Sequence, residues 1–164
     1  MKSRLFIALV LGTVASACSG GSTSPTVQYP NMLGTWTGSL TFIRSISPPG
    51  ASNTCTLSWT VTTQNAGQYS GTYQIAGGTV DPCGSAGNVS GSVSADGNVS
   101  GLTFSTPFRI VSQCVLSAGS SIPVFSGRVS GTALTAQSTE AIQCTDGSTT
   151  SVGSRSLTIS VSKQ

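Results

Sequence analysis

The sequence predicts an all-β protein: an antiparallel up-and-down meander closing as a roughly eight-stranded barrel, with a β-sandwich as the alternative. Three observations carry that prediction. Apolar and Ser/Thr residues alternate at period two in run after run, which puts one set on each face of a strand. Short turn-forming clusters separate the runs, as hairpin connections require. Roughly a third of the 164 residues are Ser or Thr, yet Val, Ile and Thr recur in strand-like order, which favours folded strands over a disordered tract.

The clearest stretch is Gly87 to Phe104. Val89, Gly91, Val93 and Ala95 alternate with Ser90, Ser92, Ser94 and Asp96. Asp96-Gly97 then offers the positive φ angles of a tight hairpin turn, and a second strand leaves from Val99. The apolar phase slips between Val99 and Leu102, which predicts a bulge near Gly101.

Before this hairpin, Gly34 to Phe42 reads as the first strand, with Trp36, Gly38, Leu40 and Phe42 on one face. Cys55, Leu57, Trp59 and Val61 mark the second, and Asn65-Ala66-Gly67 turns it. Tyr69, Gly71, Tyr73 and Ile75 line the third. After the hairpin, Phe108 to Leu116 reads as a strand. Pro123 to Ile142 reads either as one bent strand or as a hairpin turning near Ser130-Gly131. Asp146 to Gly153 reads as a turn-rich loop, and Leu157, Ile159 and Val161 form the last strand.

A triplet of an aromatic or β-branched residue, Ser/Thr and Gly recurs at Trp36-Thr37-Gly38, Tyr69-Ser70-Gly71, Val89-Ser90-Gly91, Val99-Ser100-Gly101, Phe125-Ser126-Gly127 and Val129-Ser130-Gly131. Glycine weakens a strand, so its repeated use predicts sharp coiling at barrel corners or close packing of a neighbouring ring.

The first residues read as a targeting segment. Lys2 and Arg4 precede the apolar run Leu5 to Val14, which is too short to span a bilayer as a helix. Ala15-Ser16-Ala17 then precedes Cys18. This stretch resembles the signal peptide and lipobox of bacterial lipoproteins. The resemblance implies cleavage before Cys18, lipidation of that cysteine and a membrane anchor. Ser19, a residue other than Asp, implies sorting to the outer membrane, facing the periplasm or the surface. An ordinary secretory signal with an A-x-A site would be cut at the same place. The expected organisation is a signal peptide over residues 1–17, a lipidated flexible tether over 18–32 and one β domain over 33–164.

Cys55, Cys83, Cys114 and Cys144 remain, an even set that reads as two disulfides in an exported chain. Leu40-Thr41-Phe42, Cys55, Tyr69-Ser70-Gly71 and Cys83 are echoed in order by Leu102-Thr103-Phe104, Cys114, Phe125-Ser126-Gly127 and Cys144. Duplication into two similar four-stranded halves and chance in a Ser/Gly-rich chain both account for this echo. Equivalent halves would pair Cys55 with Cys83 and Cys114 with Cys144.

Gly34-Thr35-Trp36 is similar to the first strand of calycin barrels, the lipocalin and avidin-like folds. That likeness covers about nine residues and implies architecture but no ligand-contacting set.

Chemistry is sparse. The chain has no histidine, so the usual base for a serine or cysteine nucleophile is missing and no metal-binding pattern appears. Asp81, Asp96 and Asp146 precede Pro or Gly and suit turns, and Glu140 reads as a solvent-facing strand residue. Removing Lys2 and Arg4 leaves a net charge near +1 with scattered cations, so neither nucleic acid nor an acidic partner is indicated. The sequence therefore points away from an enzyme and implies no cofactor and no metal. Two roles stand open: a structural or interaction lipoprotein, and a small-ligand-binding barrel with Trp36, Trp59, Tyr69 and Tyr73 as its inner wall. A membrane-spanning barrel fits less well, because aromatic girdles need more than 2 Trp, 3 Tyr and 5 Phe.

Overall fold

The computed structural model describes residues 26–46, 49–77, 83–106, 114–118 and 122–164. All regular elements among them are strands. In chain order they are β1 (Gly34–Arg44), β2 (Ser52–Asn65), β3 (Gln68–Ala76), β4 (Ser85–Val93), β5 (Asn98–Phe104), β6 (Cys114–Leu116), β7 (Phe125–Ser130), β8 (Ala133–Asp146) and β9 (Thr149–Lys163). Their order in the sheet is β6-β8-β7-β5-β4-β3-β2-β1-β9, and β9 also pairs with β8. That last ladder closes eight strands into an antiparallel barrel, so the barrel is realised and the sandwich is not. Closure removes the exposed edges that a chain with few charges cannot otherwise protect.

The alternation does the sorting. Trp36, Leu40 and Phe42 of β1, Cys55, Leu57, Trp59 and Val61 of β2, and Tyr69, Tyr73 and Ile75 of β3 are all buried. Leu102 and Phe104 of β5 and Leu157, Ile159 and Val161 of β9 complete the wall. Each large apolar side chain taken from water contributes about 1.5–3 kcal/mol. Phe104 sits at the centre, edge-on to Tyr73 at 4.8 Å and to Phe125 at 5.6 Å between ring centroids.

The ninth strand breaks the regularity. β7 pairs with Ala133–Gln137 of β8, whereas β6 pairs with Ile142–Cys144 further along. β9 follows β8 over its whole length. One end of the β8–β9 hairpin therefore rises past the barrel as a three-stranded flap with β6. Cys114, Ile142 and Cys144 form a small buried cluster of their own there, with Ile46 and Leu116 packed against it.

Several connections differ from expectation. Asp146 to Gly153 is not a loop: Gly147-Ser148 turns the chain and β9 begins at Thr149. The ladder continues through Asp146↔Thr149, because β8 is long enough to offer partners to this polar stretch. Pro123 to Ile142 resolves as a hairpin turning at Gly131-Thr132. Of the strand expected over Phe108 to Leu116, Cys114–Leu116 is observed and residues 108–113 lie outside the described ones. Of Asp96 and Gly97 only Gly97 has positive φ; the turn runs over Ala95-Asp96, so Ala95 is exposed. The bulge at Gly101 is present, with φ 61° and a register shift between Val99 and Leu102.

The end of the expected tether is seated on the barrel. Met32 is fully buried, its N–H donates to Gln64 Oε1 at 2.7 Å, and its carbonyl accepts from Trp36 Nε1 at 2.8 Å. Met32 therefore packs at the barrel end beside Trp36, while Thr26, Val27 and Gln28 stay exposed.

The disulfides are Cys55–Cys83 and Cys114–Cys144, closing separations of 28 and 30 residues. Each contributes on the order of 3–4 kcal/mol in the chain-entropy model. Their settings differ. Cys114 and Cys144 face each other in one ladder, while Cys55 in β2 reaches past β3 to the chain entering β4. β6 pairs with neither β5 nor β7, so the two halves do not share a pairing pattern.

The triplet glycines prove to have separate causes. At Gly38, Gly71 and Gly127 a Cβ would run into the backbone of the neighbouring strand, at Ser160, Thr60 and Thr135 respectively. At these three points neighbouring strands approach too closely for any side chain. At Gly91 a Cβ would lie 2.6 Å from Tyr69 Oη, so the tyrosine ring occupies its place. We expect Gly71→Ala to cost at least about 3 kcal/mol, since the obstruction is backbone. Ala66, held at φ 45° in the β2–β3 turn, should behave oppositely, and Ala66→Gly should gain about 1 kcal/mol. Urea unfolding midpoints of the two variants check both signs.

Candidate functional site

The four aromatic candidates are inside the barrel, 0–4 % exposed. Trp36 and Trp59 face each other across β1 and β2, and Trp59 faces Tyr73 across β2 and β3. Tyr69 lies further along β3, against Gly91 of β4. The set is therefore contiguous, but it forms the packed core. Trp59 is 5.9 Å from Phe104 between centroids, and Tyr73 Oη lies 2.9 Å from Ser85 Oγ. Two polar atoms in it stand out. Trp59 Nε1 and Tyr69 Oη are buried and have no hydrogen-bond partner among the described residues. Burial drives the Tyr69 phenol well above its ordinary range.

A second group lies at the flap end of the barrel, where Arg44 of β1, Arg155 of β9 and Glu140 of β8 occur in one row of the sheet. All three are buried. Glu140 is not the solvent-facing residue the sequence suggests: it shares strand parity with Leu134, Ala136, Ile142 and Cys144, which all point inward. Its Oε2 accepts from Arg155 Nε at 2.8 Å and from Arg155 Nη2. Oε1 has no partner among the described residues. The Arg155 guanidinium also lies 4.8 Å from the centre of the Phe42 ring. Arg44 points to the flap instead, its Nη1 donating to Cys114 Sγ at 3.6 Å.

This polar row separates the main core from the flap's apolar cluster. It contains two cations and one carboxylate in a setting where unbalanced charge is costly. Burial raises the Glu140 pKa more than Arg155 lowers it. Sequence reasoning missed the arginines, although parity marks them: Arg44 follows Leu40 and Phe42 at even spacing, and Arg155 precedes Leu157 and Ile159.

Two further concavities are described. A cleft of about 520 Å³ lies at the opposite barrel end, between the incoming chain from Thr26 to Leu33 and the β2–β3 turn at Ala66-Gly67. Gln64 spans it, accepting from Met32 N and donating to Pro30 O at 2.8 Å. A shallow hollow of about 200 Å³ lies over Gly127, beside Arg128 and Gln137. None of the four aromatic candidates lines either one.

Cys18 and Asp81 lie outside the described residues. Asp96 is exposed at the β4–β5 turn and Asp146 is exposed at the end of β8, so neither joins the buried row of Glu140 and Arg155. Among the described residues no cluster of three or more Cys, Asp and Glu could hold a metal ion.

No family model matches the chain, and no curated protein and no solved structure is detectably similar to it.

The ion pair generates a pH prediction. Because the folded state holds the Glu140 proton more firmly than the unfolded chain does, this residue's contribution is fully present below pH 4.5 and lost as pH rises through the raised folded value. Unfolding free energy should therefore slope downward just above pH 4.5. Replacing both partners, Glu140→Leu with Arg155→Leu, should flatten that slope at little net cost, since apolar replacement of a buried pair is often neutral. Denaturant titrations at a series of pH values check this.

Proposed function

We propose that the chain is a lipid-anchored module of the bacterial cell envelope, held at the outer membrane through Cys18, that acts as a structural or interaction unit and not as an enzyme. The observation that carries this reading is the burial of the aromatic side chains in one core cluster. The side chains best suited to a ligand wall, Trp36, Trp59, Tyr69 and Tyr73, are spent on the core. What the barrel offers to partners is its outside, where Ser and Thr dominate. That outer face also speaks against a membrane-spanning barrel, which needs an apolar band facing lipid. Two disulfides agree with an oxidising compartment. Glu140, the one acid buried beside a cation among the described residues, is committed to Arg155, which leaves it poorly placed for proton transfer to a substrate.

The anchor is tested by intact mass of the protein isolated from bacterial membranes. A mature chain beginning at Cys18 with acyl mass added is the expected result, and Cys18→Ser should release the protein from the membrane fraction. A chain beginning at Cys18 without acyl mass overturns the anchor.

A second reading, a small-ligand-binding calycin-like barrel, is favoured by Trp59 Nε1 and Tyr69 Oη, buried without a partner among the described residues. The two readings predict opposite signs for one variant. A hydroxyl with no partner is a burden, so Tyr69→Phe should gain about 1 kcal/mol. A loss of stability, or a bound molecule released by the variant, would support the ligand reading. Thermal unfolding of Tyr69→Phe beside the parent decides between them.

A further inference from the structure

We propose that Cys114–Cys144 is a thiol–disulfide exchange site, reduced by dithiols in preference to Cys55–Cys83, with Arg44 stabilising the sulfur that leaves. The two bonds differ in what touches their sulfurs. Cys83 Sγ accepts from the neutral amide of Asn53, Nδ2, at 3.8 Å. Cys114 Sγ accepts from the Arg44 guanidinium at 3.6 Å. Arg44 is only 7 % exposed, and the one carboxylate in its row, Glu140, is bonded to Arg155.

A disulfide sulfur is a weak, neutral acceptor, so among the described residues the oxidised protein sets no anion against the Arg44 guanidinium. Reduction changes that. A thiolate at Cys114 would balance Arg44, just as Glu140 balances Arg155. Adjacent cations favour thiolates and so make a disulfide more oxidising. Among the described residues, Cys55–Cys83 has no cation in contact with its sulfurs.

The exchange balances as follows. A dithiol's thiolate attacks Cys144 Sγ, and the Cys114–Cys144 bond breaks. The electron pair leaves on Cys114 as a thiolate beside Arg44. The dithiol's second sulfur then displaces Cys144, which takes up a proton, and the dithiol departs as its own disulfide. Two electrons pass from the dithiol to the protein.

Access comes from the flap. Cys114 and Cys144 are 3 % and 1 % exposed, so attack requires local opening. β6 holds β8 through only the pairs Cys114↔Cys144, Val115↔Gln143 and Leu116↔Ile142. The flap's apolar cluster is separate from the barrel core. Opening there exposes the bond while the barrel's closed ladders stay intact, the usual behaviour of a small peripheral unit. Cys55 is buried but Cys83 is partly exposed, so the preference for Cys114–Cys144 rests on the equilibrium stability of a thiolate beside Arg44 and not on access.

The test equilibrates the purified oxidised protein in buffers of reduced and oxidised dithiothreitol, quenches with acid, alkylates, and reads each bond by peptide mass. Cys114–Cys144 should be half reduced at a reduced-to-oxidised ratio at least tenfold lower than Cys55–Cys83, a difference of about 30 mV. Arg44→Met should erase most of that gap, and Arg44→Lys should keep it. Equal ratios for the two bonds in the parent protein, earlier reduction of Cys55–Cys83, or an unchanged gap in folded Arg44→Met would each overturn the proposal. The parent comparison stands even if a variant fails to fold.

Discussion

The fold depends on the ladders of β9. This strand pairs with β1 from Trp36↔Lys163 to Arg44↔Arg155 and with β8 from Ala133↔Ser162 to Asp146↔Thr149. The last strand of the chain thereby joins the first, and every barrel strand gains a neighbour on both sides. A meander of the same sequence left open would expose two long edges with almost no charge to blunt them. Closure also sets the interior width, and eight strands leave a space that side chains can fill.

That space accounts for the sequence's mixture of large and absent side chains. Trp36, Trp59 and Phe104 are large enough to reach across the interior, while Gly38, Gly71 and Gly127 let neighbouring backbones approach. Tyr69 and Gly91 form a matched pair, one ring filling the place of one missing side chain. The aromatic set that looks like a ligand wall in one dimension is thus the filling that lets the barrel close.

The two ends of the barrel are finished differently. At one end Met32 and Tyr29 cover the opening, tied down through Gln64, Trp36 and Lys163, whose Nζ donates to Asn31 O at 3.0 Å. At the other end a charged row takes the place of an apolar lid, and the flap with its disulfide stands above it. Polar groups at that level must satisfy one another, because the barrel core below and the flap cluster above are both apolar. The distinctive chemistry of the protein therefore gathers at the end where the regular meander is interrupted by β6.

The cysteine pairings follow only from the echo between the two halves of the sequence; period-two alternation and turn residues were enough to identify the class, a barrel ahead of a sandwich, most strands and the Gly101 bulge. Those features are local, or follow from counting. The parity of a strand states which residues share a face, and it extends to Arg44, Glu140 and Arg155 as surely as to their apolar neighbours. A single-strand reading nonetheless sends charge outward, because burying it is unfavourable until a partner on another strand is known. Only the tertiary structure supplied that partner. It also decided that β6 leaves the ring, that Met32 packs at the barrel end, and that Asp146 to Gly153 is a two-residue turn between paired strands. Each of these rests on a neighbour distant in the chain, and long-range pairing is the information that a pattern along one strand does not contain.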